Sequence, residues 1–442
     1  SKNRQGWSRR SRSSCLGCGM SNWQKTTLGK VLNSGGGKIQ TGPFGSQLHA
    51  SDYVAAGIPC IMPANMKSNR VDLSAIAFIA EKDAKRLSQH LVQAGDIVYS
   101  RRGDVTQKAL IREAEVGYFC GTGCLLVRPG DAIDPEFLTY HLSTPTNQDW
   151  IVKQAVGATM PNLNTAILSA VPLNVPRNKE TQQKIAAVLS ALDAKIDCNN
   201  RINAELEAMA KALYDYWFVQ FDFPDANDKP YQSSGGKMVY NATLKREIPE
   251  GWSASSVLAV ADLLGGGTPT KKKQEFWGGD IPFFTPTDAD GTIFKFSTAD
   301  YITEEGLKGS STKCFGKHTV FITARGSVGR LVLAGVEMAM NQSCYALRAK
   351  PSVSHVFLFF LAKELIHHLQ VKSSGSVFDS IVSNDIELTN LAIPKDEVIE
   401  KFAAIVEPTF EKIANNTKEN QQLTQLCDWL LPLLMNGQVT VP

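Results

Sequence analysis

At 442 residues, with 43% hydrophobic and 20% charged side chains, the chain is too long for one ordinary core and too apolar to be a disordered polyampholyte. Its net charge of +3 excludes a broadly polycationic binder: Lys2, Arg4, Arg9, Arg10 and Arg12 supply five positive charges within residues 1–19, leaving the remainder near −2, so DNA contact would need local basic patches or basic partner subunits. No apolar run reaches the roughly 20 residues of a membrane helix, since Val356–Leu361 is soon broken by Lys363 and Glu364; a soluble, cytoplasmic protein is expected.

Residues 1–19 read as a disordered or added tail, with Met20-Ser21-Asn22-Trp23 resembling a natural start. The nine cysteines form no framework and point to free thiols; Cys15 and Cys18 alone have metal-like spacing, without a second pair or nearby histidines, so no metal site is expected. Next come Gly35-Gly36-Gly37-Lys38 and Thr41–Gln47, where exposed glycines would let backbone approach a phosphate. Lys38, Ser46 and Gln47 are candidate polar contacts to such a ligand, DNA contacts if the ligand is DNA, where Gln47 has the donor and acceptor pair that reads adenine; an ordinary Gly-rich loop is the alternative. Ile97–Ser100 is β-rich, and Arg101 and Arg102 follow it where a strand end could aim a guanidinium into a groove or form a structural salt bridge. Thr122 is a further candidate beside Cys124, itself a core residue, and a helix is expected around Asp134–Leu142. Asn162 and Asn164 lie in a polar stretch that contacts DNA or simply turns.

The second half repeats the first. Residues 157–176 align without a gap on 375–394, placing Leu173 on Leu391 and Pro176 on Pro394; Arg102-Gly103-Asp104-Val105 falls on Arg325-Gly326-Ser327-Val328, residues 121–128 on 341–348, and Ile58-Pro59 on Ile281-Pro282. A period of about 220 residues is far beyond a solenoid unit, so the chain is two copies of one module, each an α+β head followed by a long helix. The boundaries read 20–178 and 223–395 for the heads, 179–222 and 396–437 for the helices. In the second head, Val320–Thr323 is β-rich and Val356–Leu369 helical. Thr268, Thr270 and the lysine run Lys271, Lys272 and Lys273 are candidate phosphate contacts or a solvated loop, and Arg325 and Gln342 repeat Arg102 and Thr122.

Along the first helix, Ile185, Leu189, Leu192, Ile196, Asn199, Asn203, Leu206, Ala210, Leu213 and Trp217 alternate steps of four and three. The second repeats the register with Phe402, Val406, Thr409, Ile413, Asn416, Asn420, Leu423, Cys427, Leu430 and Leu434. These are coiled-coil seams, and paired asparagines within them would fix register at a cost in stability; the alternative is two amphipathic helices, each packing on its own head. Pro408 would either kink the second helix or mark its start. The first helix would span roughly 40 to 57 Å, enough to bridge major grooves roughly 34 to 36 Å apart on one DNA face. Tyr214, Tyr216, Trp217, Phe218, Phe221 and Phe223 should cap it and pack on the second head rather than stack bases.

The segments GGGTPTKKKQEFWGGDIPFFTPTD (265–288), GSVGRLVLA (326–334) and NQSCYAL (341–347), with PFGSQLHASDYVAAGIPCIMPANM (43–66) and GDIVYSRRGDV (95–105), resemble target-recognition domains of type I restriction-modification specificity subunits. Residues 184–223 are similar to that family's central helix. The resemblance implies two recognition domains in inverted orientation separated by two antiparallel helices, each domain reading one half of a bipartite site in double-stranded DNA. It implies that the helices set the spacer and dock two adenine-methylating subunits, with two endonuclease subunits joining in some complexes. S-adenosylmethionine, ATP and magnesium would belong to those partners. The chain itself carries no GxxxxGK[ST] phosphate loop, no Asn/Asp-Pro-Pro-aromatic methylation motif and no Glu-x-Lys nuclease core, so no catalysis is expected of it. The rival expectation is a non-enzymatic coiled-coil adaptor for proteins, which the near-neutral core charge favours and a steep loss of DNA affinity with salt would refute.

Overall fold

The computed structural model describes residues 22–155, 161–372 and 379–441; the tail with Cys15 and Cys18, and the repeat's opening residues Gly157 and Gly375, lie outside them. The chain divides into two compact units, one made of residues up to 194 together with those from 423 onward, the other of 195–422.

In the first unit the principal strands are β1 (Trp23–Thr27), β2 (Lys38–Thr41), β3 (Ile58–Ile61), β4 (Ala77–Ile79), β5 (Ile97–Ser100), β6 (Lys108–Leu110), β7 (Phe119–Cys120), β8 (Cys124–Arg128) and β9 (Pro172–Pro176). One sheet runs β2-β8-β5-β6, a second contains β7-β3-β4, and β1 pairs with β9. All four residues of β5 and the first four of β8 are buried, which is why both read as largely apolar runs rather than alternating ones.

The second unit has β10 (Ser253–Ser255), β11 (Ala261–Gly265), β12 (Trp277–Phe284), β13 (Asp300–Ile302), β14 (Val320–Thr323), β15 (Leu331–Ala334), β16 (Ala339–Met340), β17 (Cys344–Ala349) and β18 (Leu391–Ile393). Its sheets run β11-β17-β14-β15, continued by the short strand Phe294–Lys295 parallel to β15, and β13-β12-β16, with β10 on β18. Register repeats as well as order: Tyr99 faces Lys108 as Ile322 faces Leu331, and the parallel pair Phe119 with Cys60 recurs as Ala339 with Phe283. Each unit is therefore α+β, and the repeat holds for the central strands of both sheets. Helices Pro135–Leu142 and Pro145–Gln154 cover the first unit, divided by Pro145, where the second unit has one continuous helix, His355–Lys372.

The central helix, Lys179–Tyr214, and the C-terminal helix, Asp396–Met435, have 36 and 40 residues, or roughly 54 and 60 Å. Within the second unit they run antiparallel. Asn199 Nδ2 donates to Asn420 Oδ1 at 2.9 Å and Glu419 Oε2 at 2.8 Å, Asn416 Nδ2 to Asn203 Oδ1 at 2.9 Å, and Asn420 Nδ2 to Asn200 Oδ1 at 2.8 Å. Asn199 and Asn416 are buried; a one-residue slip would strand their amides, so these bonds fix register. Leu206 and Leu213 are half-buried against the core that holds Val406 and Ile413. In the first unit Ile185 and Leu189 are buried with Leu434 and Met435, and Leu430 packs beside them. Leu192, Ile196 and Leu423 are only half-buried. One seam position needs correction: Thr409 is half-buried, and its neighbour Phe410 is fully buried in its stead. Pro408 is exposed inside the continuous helix and does not mark its start.

The central helix ends in a wider π-turn over Asp215–Val219. Tyr214, Trp217, Phe218, Phe221 and Phe223 are buried in the second unit's core, while Tyr216 is partly exposed. The C-terminal helix is tied to that unit through Glu407, which accepts from Ser354 Oγ at 2.8 Å and lies 3.9 Å from His355 Nδ1. The His355 ring stacks on His318 with centroids 3.9 Å apart. Burial, with the charges of His318 and Lys317 adding, pushes the His355 pKa down to about 4, and burial also lowers that of His318. Both groups bind their proton less well folded than unfolded, so this contribution is fully present above about pH 6.5 and is lost as pH falls toward 4. We expect urea midpoints of the second unit to drop between pH 6.5 and 4, and His355→Phe to remove on the order of 1 kcal/mol of that slope; an unchanged slope in the variant would place the acid sensitivity elsewhere.

Candidate nucleic-acid interface

In the first unit four loops meet where β2, β3, β5 and β8 end or begin: residues 42–47, 62–65, 101–107 and 121–123. Gly42 N donates to Cys124 O at 2.9 Å, and a Cβ on Gly42 would stand 2.2 Å from Gly121 O, so only glycine lets the first loop cross the fourth. Gly121 N bonds Ile61 O and Arg101 N bonds Gly123 O, each at 2.9 Å, joining the other two. The second unit repeats the junction with residues 266–270, 285–288, 324–330 and 341–343. A Cβ on Gly266 would stand 2.2 Å from Asn341 O, Asn341 N bonds Phe284 O at 2.9 Å, and Ala324 N bonds Ser343 O at 2.8 Å.

At each junction the hairpin tip carries arginine followed by a glycine in the left-handed region, Gly103 at φ +74 and Gly326 at φ +64. Each tip is braced by a single antiparallel bridge, Arg102 to Asn162 and Arg325 to Ser380. Arg102 and Arg325 are exposed, and among the described residues neither guanidinium has a hydrogen-bond or ion-pair partner. Arg101 is half-buried; its Nε donates to Asn162 Oδ1 at 3.3 Å and its guanidinium carbon lies 5.9 Å from the Phe44 ring centroid. Neither alternative salt bridge forms among the described residues. Backbone amides, a fixed tip and an exposed guanidinium suit phosphates and base edges.

The other candidates divide. Ser46, Gln47 and Thr122 stand at the first junction, Thr268 and Gln342 at the second, where the Thr268 hydroxyl bonds the Gln342 side chain. Gln47 Oε1 already accepts from Phe44 N at 3.1 Å. Lys38 is not brought to this group: it begins β2 opposite Arg128, and Gly37 packs on the backbone of Arg128 and Pro129. Asn164 takes the turn role, capping helix Thr165–Ser169 by accepting from Ile167 N at 2.8 Å. Thr270 accepts Trp277 Nε1 through its backbone oxygen at 3.2 Å. Lys271, Lys272 and Lys273 are all exposed on this same loop; Lys271 lies 5.8 Å from the Trp277 ring and Lys273 4.8 Å from the Phe276 ring, which leaves Lys272 facing solvent.

Three features of these junctions escaped sequence reasoning. The capped turns Met62–Asn65 and Thr285–Asp288, closed by Met62 N to Asn65 Oδ1 at 3.0 Å and Thr285 N to Asp288 Oδ2 at 2.8 Å, sit in both copies; the matching Pro63 and Pro286 could have flagged them. Lys108 is 2% exposed behind the first tip, 5.7 Å from the Tyr99 ring, and burial pulls its ammonium down to about 7 against the opposing pull of Asp104. The third is Phe44, exposed on the first loop. Cys124 and Cys344 are buried; a hydrogen bond with Cys120, followed by burial, raises the Cys124 thiol, and burial pushes that of Cys344 up to about 12, so neither is poised for chemistry. Among the described residues no His, Cys, Asp or Glu group gathers for a metal, and no helix is long and apolar enough to cross a membrane.

A family model described as type I restriction modification DNA specificity domain matches residues 20–208 and 249–425. The type I restriction enzyme HindI specificity subunit of Haemophilus influenzae is 25% identical over 411 residues, covering 81% of this chain and 89% of that protein. The MjaIX specificity subunit of Methanocaldococcus jannaschii is 26% identical over 367 residues, covering 82% of each. The type I restriction-modification S subunit from M. genitalium superposes with a TM-score of 0.53 at 16% identity over 93% of this chain and 96% of that one, a likeness of fold.

Proposed function

The chain belongs to the type I restriction modification DNA specificity family, and from that membership we propose that it is the non-catalytic subunit that selects the DNA target of a restriction-modification complex. In this reading each unit reads one half of a bipartite site, the two long helices set the spacer and receive two DNA adenine methyltransferase subunits, and endonuclease subunits join them. S-adenosylmethionine, ATP and magnesium are then bound by those partners, and the complex works in the cytoplasm.

The observation that carries the reading is duplication of the junction itself. Both units present the same four loops, with an arginine-glycine hairpin tip braced by the same kind of bridge. An adaptor needs two similar heads; it does not need exposed guanidinia on fixed turns at equivalent places. Sequence readers need them, because bidentate donors discriminate bases in the major groove and backbone amides hold phosphates.

The test is to express the chain with its methyltransferase subunits and map N6-methyladenine on host DNA. A motif of two short halves around a fixed gap is expected. Exchanging residues 44–160 for those of a relative should alter one half only. An assembled complex without methylation would favour the adaptor, and changes in both halves would refute the one-unit, one-half assignment.

A further inference from the structure

We propose that Phe44 is a specificity-determining residue that reads a thymine, through its 5-methyl group, in the half-site met by the first unit; this rests on the DNA-reading function above. A lone exposed phenyl is ordinary on a protein surface, but this one is held in place. Phe44 O accepts from Gln47 N at 2.8 Å and Leu48 N at 3.2 Å, and Phe44 N donates to Gln47 Oε1 at 3.1 Å. Leu48 is buried at one end of the loop and Gly42 is locked under Gly121 at the other. The ring is nevertheless 54% exposed. Beside it stands the Arg101 guanidinium, itself restrained by Asn162.

A phenyl ring offers no hydrogen bond to a base edge. In the major groove the one apolar group a base pair presents is the thymine methyl, and the minor groove presents none. An exposed ring on a fixed backbone, beside a cation that can bind a neighbouring phosphate or guanine, is therefore matched to that methyl. The equivalent position in the second unit, set by the shared strand register and the Gly42 and Gly266 crossings, is Thr268, whose hydroxyl is engaged by Gln342. No aromatic ring therefore stands at the equivalent place in the second unit.

The probe is a duplex carrying the mapped split target, with each thymine of the first half-site replaced singly by deoxyuridine, titrated against the complex assembled with its methyltransferase subunits. One replacement should weaken the wild-type complex about fourfold, the effect of withdrawing one methyl from an apolar contact. Phe44→Ala should bind thymine and uracil duplexes equally, while still rejecting a mismatch in the second half-site as wild type does; Phe44→Ser, which carries no methyl group, should behave likewise and serves if the alanine variant fails to assemble. Undiminished uracil sensitivity in the variants, or a first half-site in which no thymine methyl matters to wild type, would overturn the assignment. Failure of the underlying function would appear earlier, as the absence of any split methylation motif.

Discussion

Arg325→Ala should weaken specific binding about ten- to hundredfold and relax the second half-site at a single base pair, leaving the first half-site intact. The tip that carries it is fixed by backbone: Ala324 N bonds Ser343 O at 2.8 Å, Ile381 N bonds Ala324 O at 2.9 Å, and Gly326 supplies the left-handed turn. The exposed side chain can be removed without moving that frame, so the folding stability of the variant should stay within about 0.5 kcal/mol of wild type. Binding measured across a panel of single-base variants at several salt concentrations decides the role. Loss confined to one base pair marks a base reader. A uniform loss, with the salt slope reduced by about 1, would make Arg325 a phosphate ligand instead.

Phe402→Ala should destabilise the second unit by about 3–5 kcal/mol. Phe402 is fully buried, with ring centroids of Tyr214, Trp217, Phe218 and Phe360 at 6.1, 5.9, 5.1 and 6.4 Å. Those rings come from the central helix, its π-turn and helix His355–Lys372, so one truncation opens a cavity shared by three elements that cannot all close in on it. Hydrogen exchange should show protection falling across 195–422 while the amides of β5 and β8 in the first unit hold theirs. Equal loss in both units would mean that they unfold as one cooperative block.

Much of this architecture was legible because duplication turns weak signals into repeated ones. Ile97–Ser100 and Val320–Thr323 each look like any short apolar run; found at equivalent places before an arginine-glycine pair, they are strands ending at a tip. The asparagines were readable for the same reason, since a polar residue recurring in two seams implies a partner for each. What stayed hidden depends on distant neighbours. Nothing in the local sequence says that Lys108 is buried where the second copy has Leu331, because that follows from its register against Tyr99. Thr409 fits a strict heptad, yet the space is filled by Phe410, whose volume suits the aromatic cluster around Phe359 and Phe360. Asn164 carries the donors and acceptors of a base reader, and its use in a helix cap is decided by Ile167 N at 2.8 Å.

The division of the chain into 195–422 and the two flanking segments has a consequence for its synthesis. The second unit is continuous in sequence and can close as soon as its last residues leave the ribosome. The first unit, although most of it is made earlier, waits for the final stretch: Leu434 and Met435 complete the core around Ile185 and Leu189, and Gly437 lies against the Trp23 ring. A nascent chain therefore finishes the module encoded second before the module encoded first, and a stop codon just upstream of 423 would leave the latter with an open core for quality control to find.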